Sequence, residues 1–314
     1  MYSADREGEL PMTAPADDTS TGLETVVFRD GSFHRGTRTV PAEVAVAISI
    51  GGSTHAVMMA TPADLEDMAI GLVLNEAIVD RIDEIENLEI VRSDAGIDCQ
   101  IRLVEARART YVARRRQMTG PVGCGLCGVE SLELAAPKLP EVGSGGDAQV
   151  SPQTIVDAVA AMARQQELSR LTRAVHAAAF HAASGEPGRG TVVTREDVGR
   201  HNALDKVAGH LARGGIDPHG GFLTITSRVS VELIQKAARM GCGLIAAVSA
   251  PTALAIAEAE AAGITLVAVV RGAEFEIFTH PQRIAGTGRV DMPTNEDEGR
   301  EEDRPPQGRA VHGA

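Results

Sequence analysis

No apolar run in this 314-residue chain approaches the length of a membrane span, and the opening residues, MYSADREGELP, carry neither the basic nor the apolar region of a secretory signal. A soluble, cytoplasmic protein with no membrane partner is the expectation. Cysteine is scarce. Four residues, only two of them closely spaced, do not make a disulfide scaffold, and in a reducing compartment a Cys-x-x-Cys pair points to metal or redox chemistry instead. Positive charge is also short: the formal net charge of −13 argues against nucleic acid as a general partner. Residues 1–22 contribute −4 of this and residues 293–314 contribute −3, leaving −6 for the body. Both tails are rich in Pro, Gly and acidic residues and poor in apolar ones, so disorder is expected over 1–22 and 291–314. No internal repeat is present. At 43% hydrophobic residues, the remainder can bury a core as one large or two ordinary domains.

Read in order, Thr25 to Asp30 alternates as a strand, and Glu43–Ile50 and Ser53–Ala60 flank Gly51-Gly52 as a β-hairpin. Thr61 and Asp64 have capping-box spacing with Pro62 at the first helical position, and Leu65, Met68, Ala69, Leu72 and Val73 share one face of a helix running to about Glu76. Two strands follow at about 87–93 and 97–104. Residues 23–136 thus form a small α+β domain, and the Pro- and Gly-rich stretch 137–150 is its linker to the next. In that second domain, 151–290, Ser151 and Pro152 open a helix, and the order that follows is αββαβαβαβ. Continuous apolar strands such as LIAAVS and ITLVAVV, separated by helices, imply a three-layer α/β domain with a largely parallel sheet.

The chain is organised around TGPVGCGLCGVE, in which Cys124 and Cys127 sit among three glycines. Arg107, Arg109, Arg114, Arg115 and Arg116 precede it and an apolar helix pattern follows. Nearby positive charge and a helix N-terminus favour the thiolate, the form that attacks sulfur and binds metal. Half a zinc site, a redox dithiol and a nucleophilic sulfur carrier all use such a pair. Zinc needs two more ligands, which a dimer would have to supply. The redox motif normally opens a helix directly after a strand, whereas this pair lies in a Gly-rich stretch suited to a thiol that visits two partners. Cys99, in a strand-like run, and Cys242, in a Gly-Cys-Gly turn, read as small buried residues.

Four junctions have the residues of an anion or nucleotide pocket. EDVGRHNALDK, Glu196 to Lys206, places Arg200, His201, Asp205 and Lys206 at a strand-to-helix junction. Thr226 to Ser230, Ser249 to Thr252 and Arg271 to Glu274 each follow a strand, so all four turns are expected to line one crevice at the strand carboxyl ends. Arg228 and Arg271 are its cations; Ser227, Ser230, Ser249 and Thr252 are its hydrogen-bonding groups, with ordinary helix capping as the plainer explanation of the hydroxyls. Zinc-dependent deamination is excluded. No His or Cys has Glu two positions later, and Gly123 stands where that signature has Pro.

Together, GCGLCG, EDVGRHNALDK, TSRVSVELIQKAARMG, SAPTALA and RGAEFEIFTHPQRI resemble the FdhD family of sulfur carriers required by formate dehydrogenases, over about residues 40–285. Ala45 departs from the family's Pro after the Glu that opens the first hairpin. The resemblance implies a second domain similar to cytidine deaminase, a homodimer, and a sulfurtransferase acting through a persulfide. Sulfur would come from a cysteine desulfurase and pass to the bis-molybdopterin guanine dinucleotide molybdenum cofactor before its insertion into formate dehydrogenase. It makes Cys124 the persulfide carrier with Cys127 as its partner, and places cofactor and guanine-nucleotide binding on Val269, Val270, Arg271, Gly272, Ala273 and Glu274, with Arg228 and His201 nearby. No resident metal is implied. The alternative is a zinc-stabilised or thiol-redox chaperone that holds the cofactor without transferring sulfur.

Overall fold

The computed structural model describes residues 18–115, 139–142, 149–183 and 190–289. It opens with an antiparallel hairpin, β1 (Ser20–Arg29) and β2 (Ser32–Pro41), turning through Asp30 and Gly31 at φ 51° and 77°. Sequence reading finds only part of β1 because β2, SFHRGTRTVP, has almost no buried face to impose an apolar alternation. Phe28 and Phe33 face each other across the turn, ring centroids 5.1 Å apart, and both stay largely exposed.

The predicted Gly-Gly hairpin is present as β3 (Val44–Ile50) and β4 (Ser53–Ala60), with Gly51 and Gly52 at φ 57° and 79°, values open to glycine at little cost. With β5 (Ile85–Ser93) and β6 (Gly96–Leu103) these strands form a sheet in the order β4-β3-β6-β5, in which only β3–β6 is parallel. Helix α1 (Leu65–Asn75) covers it, burying Leu65, Met68, Ala69, Leu72 and Val73 against Val46, Ile48, Ile97, Cys99 and Ile101. The expected capping box is not formed. The helix begins at Leu65, Asp64 precedes it in a left-handed conformation without a side-chain cap, and Thr61 is buried in another role described below. Helix α2 (Glu105–Arg115) then leads toward the cysteine stretch.

The second sheet has the order β12-β11-β10-β9-β7-β8, built from β7 (His176–Ala182), β8 (Thr191–Asp197), β9 (Gly221–Ile225), β10 (Leu244–Ala247), β11 (Thr265–Arg271) and β12 (Glu274–Ile277). β8, β9, β10 and β11 point one way and β7 and β12 the other, but only the β9–β10 and β10–β11 pairings are parallel, so the sheet is mixed. The difference follows from the connections, since β7–β8 and β11–β12 are joined without an intervening helix and so return antiparallel.

Side chains alternate between the two faces of these strands. Phe180, Leu223, Ile225, Ile245, Leu266 and Ala268 pack toward α5 (Arg200–Arg213), α6 (Val231–Met240) and α7 (Ala253–Ala261). Phe222, Leu244, Ala246 and Val267 pack with Ile155 and Ala158 of α3 (Pro152–Gln165), which Ser151 caps by accepting from Thr154 N at 3.1 Å. Each large apolar side chain so buried contributes about 1.5–3 kcal/mol. Helices on both faces make the three-layer α/β architecture expected from the cytidine deaminase likeness. A short α4 (Glu167–Thr172) precedes β7. Leu139 and Val142, within the stretch read as a linker, pack on the same core. Among the described residues, no helix is long and apolar enough to cross a membrane.

The two sheets meet through α1 and α5, whose backbones approach so closely that a Cβ on Gly71 would lie 1.8 Å from Asp205 O, and one on Gly209 1.9 Å from Asp67 O. Charged hydrogen bonds surround this contact. Buried Asp67 accepts from Arg195 Nη2 at 2.7 Å and Arg213 Nη1 at 2.8 Å, and Asp205 accepts from Asn75 Nδ2 at 2.7 Å and Lys236 Nζ at 2.6 Å.

Candidate functional site

Strand direction brings the four predicted junctions to one edge. β8 runs antiparallel to β7 and β7 antiparallel to β9, so the carboxyl end of β8, at Asp197, lies on the same side as those of β9, β10 and β11. The turns leaving β9, β10 and β11 are laced by backbone bonds: Val248 N to Ile225 O (3.0 Å), Thr252 N to Val229 O (3.0 Å) and Val269 N to Ser249 O (3.3 Å). Ligand sites of α/β sheets collect at such an edge.

The stretch Val269 to Glu274 is irregular in a specific way. Val269 has φ 56°, a genuine outlier for a β-branched residue, and the pairing of β11 with β12 slips between Ala268 and Arg271. Strain of this kind costs on the order of 1–3 kcal/mol and is held in place by its surroundings; here Val269 N is tied to Ser249 and its side chain packs on the core. Val270 is buried. Arg271, Gly272, Ala273 and Glu274 form the exposed turn, with Gly272 at φ 59° and open space where a Cβ would be. Arg228 is likewise exposed. The hydroxyls divide between roles: Thr252 caps α7 by accepting from Ala255 N at 3.2 Å, as the plainer reading holds, and buried Ser227 donates to Arg228 O at 3.0 Å.

EDVGRHNALDK splits into two parts. Lys206, read as a cation beside the pocket, is fully buried and points inward, donating to Asp197 Oδ2 (2.7 Å), Thr61 O (3.1 Å) and Glu196 O (3.3 Å), so all three of its hydrogens are used. Asp197 also accepts from Thr61 N, Gly199 N and Asn202 Nδ2. Asp205 is held by Asn75 and Lys236. These residues therefore join the two sheets. Arg200 and His201, in the first turn of α5, remain for the site.

Around them lies a polar group that sequence reading did not assemble. His201 is pushed down to about 4, by burial first and then by the charges of Arg200 and Lys236, so it is neutral at pH 7. His176, at the start of β7, is lowered by burial and by Arg200. Burial raises Glu232, yet its carboxyl is held below the ordinary range because the neighbouring Ser230 hydroxyl, its own amide, His201 and Arg200 outweigh that effect. Ser230 Oγ and Glu232 Oε2 nevertheless complete no hydrogen bond of good geometry, nor do Arg200 Nε, His201 Nε2 and Gln235 Nε2. A buried polar atom left in that state costs about 1–3 kcal/mol. Glu232 and Gln235 lie in the quoted TSRVSVELIQKAARMG stretch, where a charged position on an amphipathic helix looks like its solvent face.

Cys124 and Cys127 lie outside the described residues. Of the arginines before them, Arg107 pairs with Asp80 at 2.7 Å and Glu84 at 3.3 Å, and the exposed Arg109 pairs with Glu105 one turn earlier on the same helix. Cys99 and Cys242 are buried, as expected, and burial pushes each thiol up to about 12, leaving neither available as a thiolate. No cluster of three or more metal-ligating side chains occurs among the described residues.

Comparison with known proteins adds a second line. The model of the FdhD/NarQ family matches residues 41–285. The chain is 53% identical over 257 residues to the sulfur carrier protein FdhD of Agrobacterium fabrum, covering 82% of this chain and 93% of that protein. It is 49% identical over 265 residues to the protein of the same name from Brucella abortus, covering 84% and 97% respectively. A crystal structure of a proposed formate dehydrogenase accessory protein from Desulfotalea psychrophila shares the fold, with a TM-score of 0.65 at 24% identity, over 85% of this chain and all of the other.

Proposed function

This chain belongs to the FdhD/NarQ family, and from that premise we propose that it is a persulfide sulfur carrier serving maturation of the molybdenum cofactor of a formate dehydrogenase. The observation that carries this reading is the family match itself, which extends from Pro41 to Ala285, a range that spans both Cys124 and Cys127 and all four turns of the strand-end crevice.

In this reading the Cys124 thiolate attacks the outer sulfur of a cysteine desulfurase persulfide; the desulfurase thiolate leaves and Cys124 holds the persulfide. Attack of the Cys127 thiolate on Cys124 Sγ then releases hydrosulfide to the molybdenum of the bis-molybdopterin guanine dinucleotide substrate. The resulting Cys124–Cys127 disulfide is reopened by a thiol reductant. Arg228, Arg271 and the turn Val269 to Glu274, with His201, receive the anionic, guanine-bearing substrate. The strained bulge at Val269 and the exposed arginines support that assignment. The division into a 23–136 unit ending in the cysteine stretch, a 137–150 linker and a 151–290 cofactor-binding unit belongs to the same proposal, as do the homodimer and the cytoplasmic location.

The test is intact-mass analysis of wild type, Cys124→Ala and Cys127→Ala after incubation with a cysteine desulfurase and cysteine. A single-sulfur gain, reversed by reductant and absent from Cys124→Ala, is expected. Cys127→Ala should load but fail to release. No gain in the wild type, with the desulfurase proven on another acceptor, sinks the proposal.

A further inference from the structure

Helix α2 has little of its own to hold it in place. Its sequence, EARARTYVARR, is short and mostly polar, and among its described side chains only Tyr111 is fully buried. A helix of 11 residues is marginal in water by itself, so α2 depends on its attachments. Two of these reach the turn that ends α1. Arg107 donates to Ile78 O at 2.8 Å and pairs with Asp80 at 2.7 Å. The Tyr111 hydroxyl lies 3.1 Å from His55 Nδ1, and His55 Nε2 lies 2.7 Å from Glu76 Oε2.

His55 stands outside the regular pattern of its strand. The pairing of β3 with β4 joins Ile48 to Ala56 and Ser49 to Thr54, so His55 is the extra residue of a bulge, a device that re-aims a side chain. Its side chain is 6% exposed and meets the Tyr111 ring edge-on, centroids 5.8 Å apart. A carboxylate only accepts, so Nε2 donates to Glu76 and Nδ1 is left for the Tyr111 hydroxyl. Carboxylate, imidazole and hydroxyl in this order can activate a nucleophile, but Tyr111 is buried and its hydroxyl meets no substrate. The three groups hold rather than react.

The same turn faces the second sheet. Asn75, next to Glu76, donates to Asp205 of α5 at 2.7 Å, and Asp205 accepts from Lys236 of α6 at 2.6 Å. Ala77 follows at φ 52°, a left-handed position usually left to glycine, so the turn is tightly specified. Through the end of α1, α2 is thus fastened to the two helices whose first turns border the strand-end crevice. Cys124 comes nine residues after Arg115, the last of α2.

We propose that His55 is a positioning residue for sulfur transfer: bound between Glu76 and Tyr111, it sets the direction of α2, and so the point from which the cysteine stretch departs, relative to the crevice. The inference rests on the sulfur-carrying role and adds residues outside both the crevice and the cysteine pair. Delivery of sulfur needs donor and acceptor in a defined geometry, and misplacement by about 1 Å can cost about a hundredfold. Loading needs no such relation, since the desulfurase is a separate protein that approaches from solution.

Full-length wild type, Tyr111→Phe, His55→Leu and His55→Gln test this in two stages. A cysteine desulfurase with radiolabelled cysteine loads each protein, and the loaded protein is then mixed with the bis-molybdopterin guanine dinucleotide molybdenum cofactor for a single turnover. Tyr111→Phe and His55→Leu should load within about twofold of wild type but transfer label at least about tenfold more slowly. His55→Gln, whose amide can donate to Glu76 and accept from Tyr111, should recover part of the rate. Moving the fixed end of a flexible connection to Cys124 from Tyr111 back to Leu103 lengthens it from about 13 to about 21 residues and lowers effective concentration only about twofold, so a tenfold loss reports the direction of α2. Transfer within about twofold of wild type in Tyr111→Phe and His55→Leu overturns the proposal, as does a parallel fall of loading and transfer that tracks a lower melting temperature. If His55→Leu does not fold, Tyr111→Phe carries the comparison, since it keeps the ring and loses only the hydroxyl. A wild type that does not load sinks the sulfur-carrying role and this inference with it; a wild type that loads and transfers beside unaffected variants sinks the inference alone.

Discussion

Replacing Gly209 by Ala probes the joint between the two sheets. An added Cβ would lie 1.9 Å from Asp67 O, 2.6 Å from its carbonyl carbon and 2.8 Å from its Cα, where real Cβ contacts do not fall below 3.0 Å. These are backbone atoms of α1, so no rotamer change relieves the clash; the helices must part by at least about 1.1 Å. That movement takes the 2.7 Å and 2.8 Å bonds of Asp67 to Arg195 and Arg213 beyond useful length. Overpacking costs about 1–3 kcal/mol. Loss of one bond to a charged group adds about 1.5–3 kcal/mol, and the better helix propensity of Ala returns about 1 kcal/mol. The net expectation is a loss of about 1.5–5 kcal/mol, or roughly 3–20 °C in melting temperature. Urea unfolding and thermal melts followed by circular dichroism read it directly. Gly220→Ala, with nothing within 4 Å of its Cβ position, is the control and should change stability by under about 0.5 kcal/mol. If Gly209→Ala melts at or above wild type, helix propensity outweighs the contact and the account of the joint is wrong.

Asp197→Ala strands Lys206 as an uncompensated buried charge and should cost about 3–5 kcal/mol; Lys206→Met leaves Asp197 with three N–H donors and should cost less, so the order of the two urea midpoints is the check. His181, buried between Thr224 and Thr191, is pushed down to about 4 by burial, against about 6.5 when unfolded. Below pH 6.5 the unfolded chain takes up a proton that the native state refuses, so His181 contributes stability that is level above that pH and falls by about 3 kcal/mol on descending to pH 4, with His201 adding a similar fall. Melting temperatures across this range should show the slope, and His181→Gln should remove about half of it; an unchanged slope in that variant removes His181 as a cause.

The elements with a buried face were legible. The Gly51-Gly52 hairpin, the α1 stripe and the apolar β10 and β11 all have one surface that water exclusion fixes to a period of 2 or 3.6. The failures share the opposite property. β2 buries almost nothing, so its residues carry no period. Thr61 has the spacing of a capping box, but its amide and carbonyl are bound by Asp197 and Lys206 from 136 and 145 residues away, a partnership no local window contains. The antiparallel pairings within the second sheet are not legible for a related reason: strand composition reports burial on both faces, while direction is set by whether a helix intervenes.

The site was legible as a place and less so as a set of groups. Strand ends followed by Ser, Thr and Arg are local signals, and chain topology does bring those turns to one edge. Charge alone, however, did not tell ligand-facing residues from structural ones. In EDVGRHNALDK the residue that looks most like an anion contact, Lys206, is spent with its neighbour Asp205 on the joint between the sheets, whereas Glu232, which looks like an ordinary exposed helix position, sits among polar atoms beside His201. The separating quantity is hydrogen-bond completion, which depends on partners from distant segments. Lys206 has all its donors engaged and so offers a substrate nothing. Arg200, Glu232 and Gln235 each keep an atom without a partner, and that residual capacity is what recognition of a substrate edge requires.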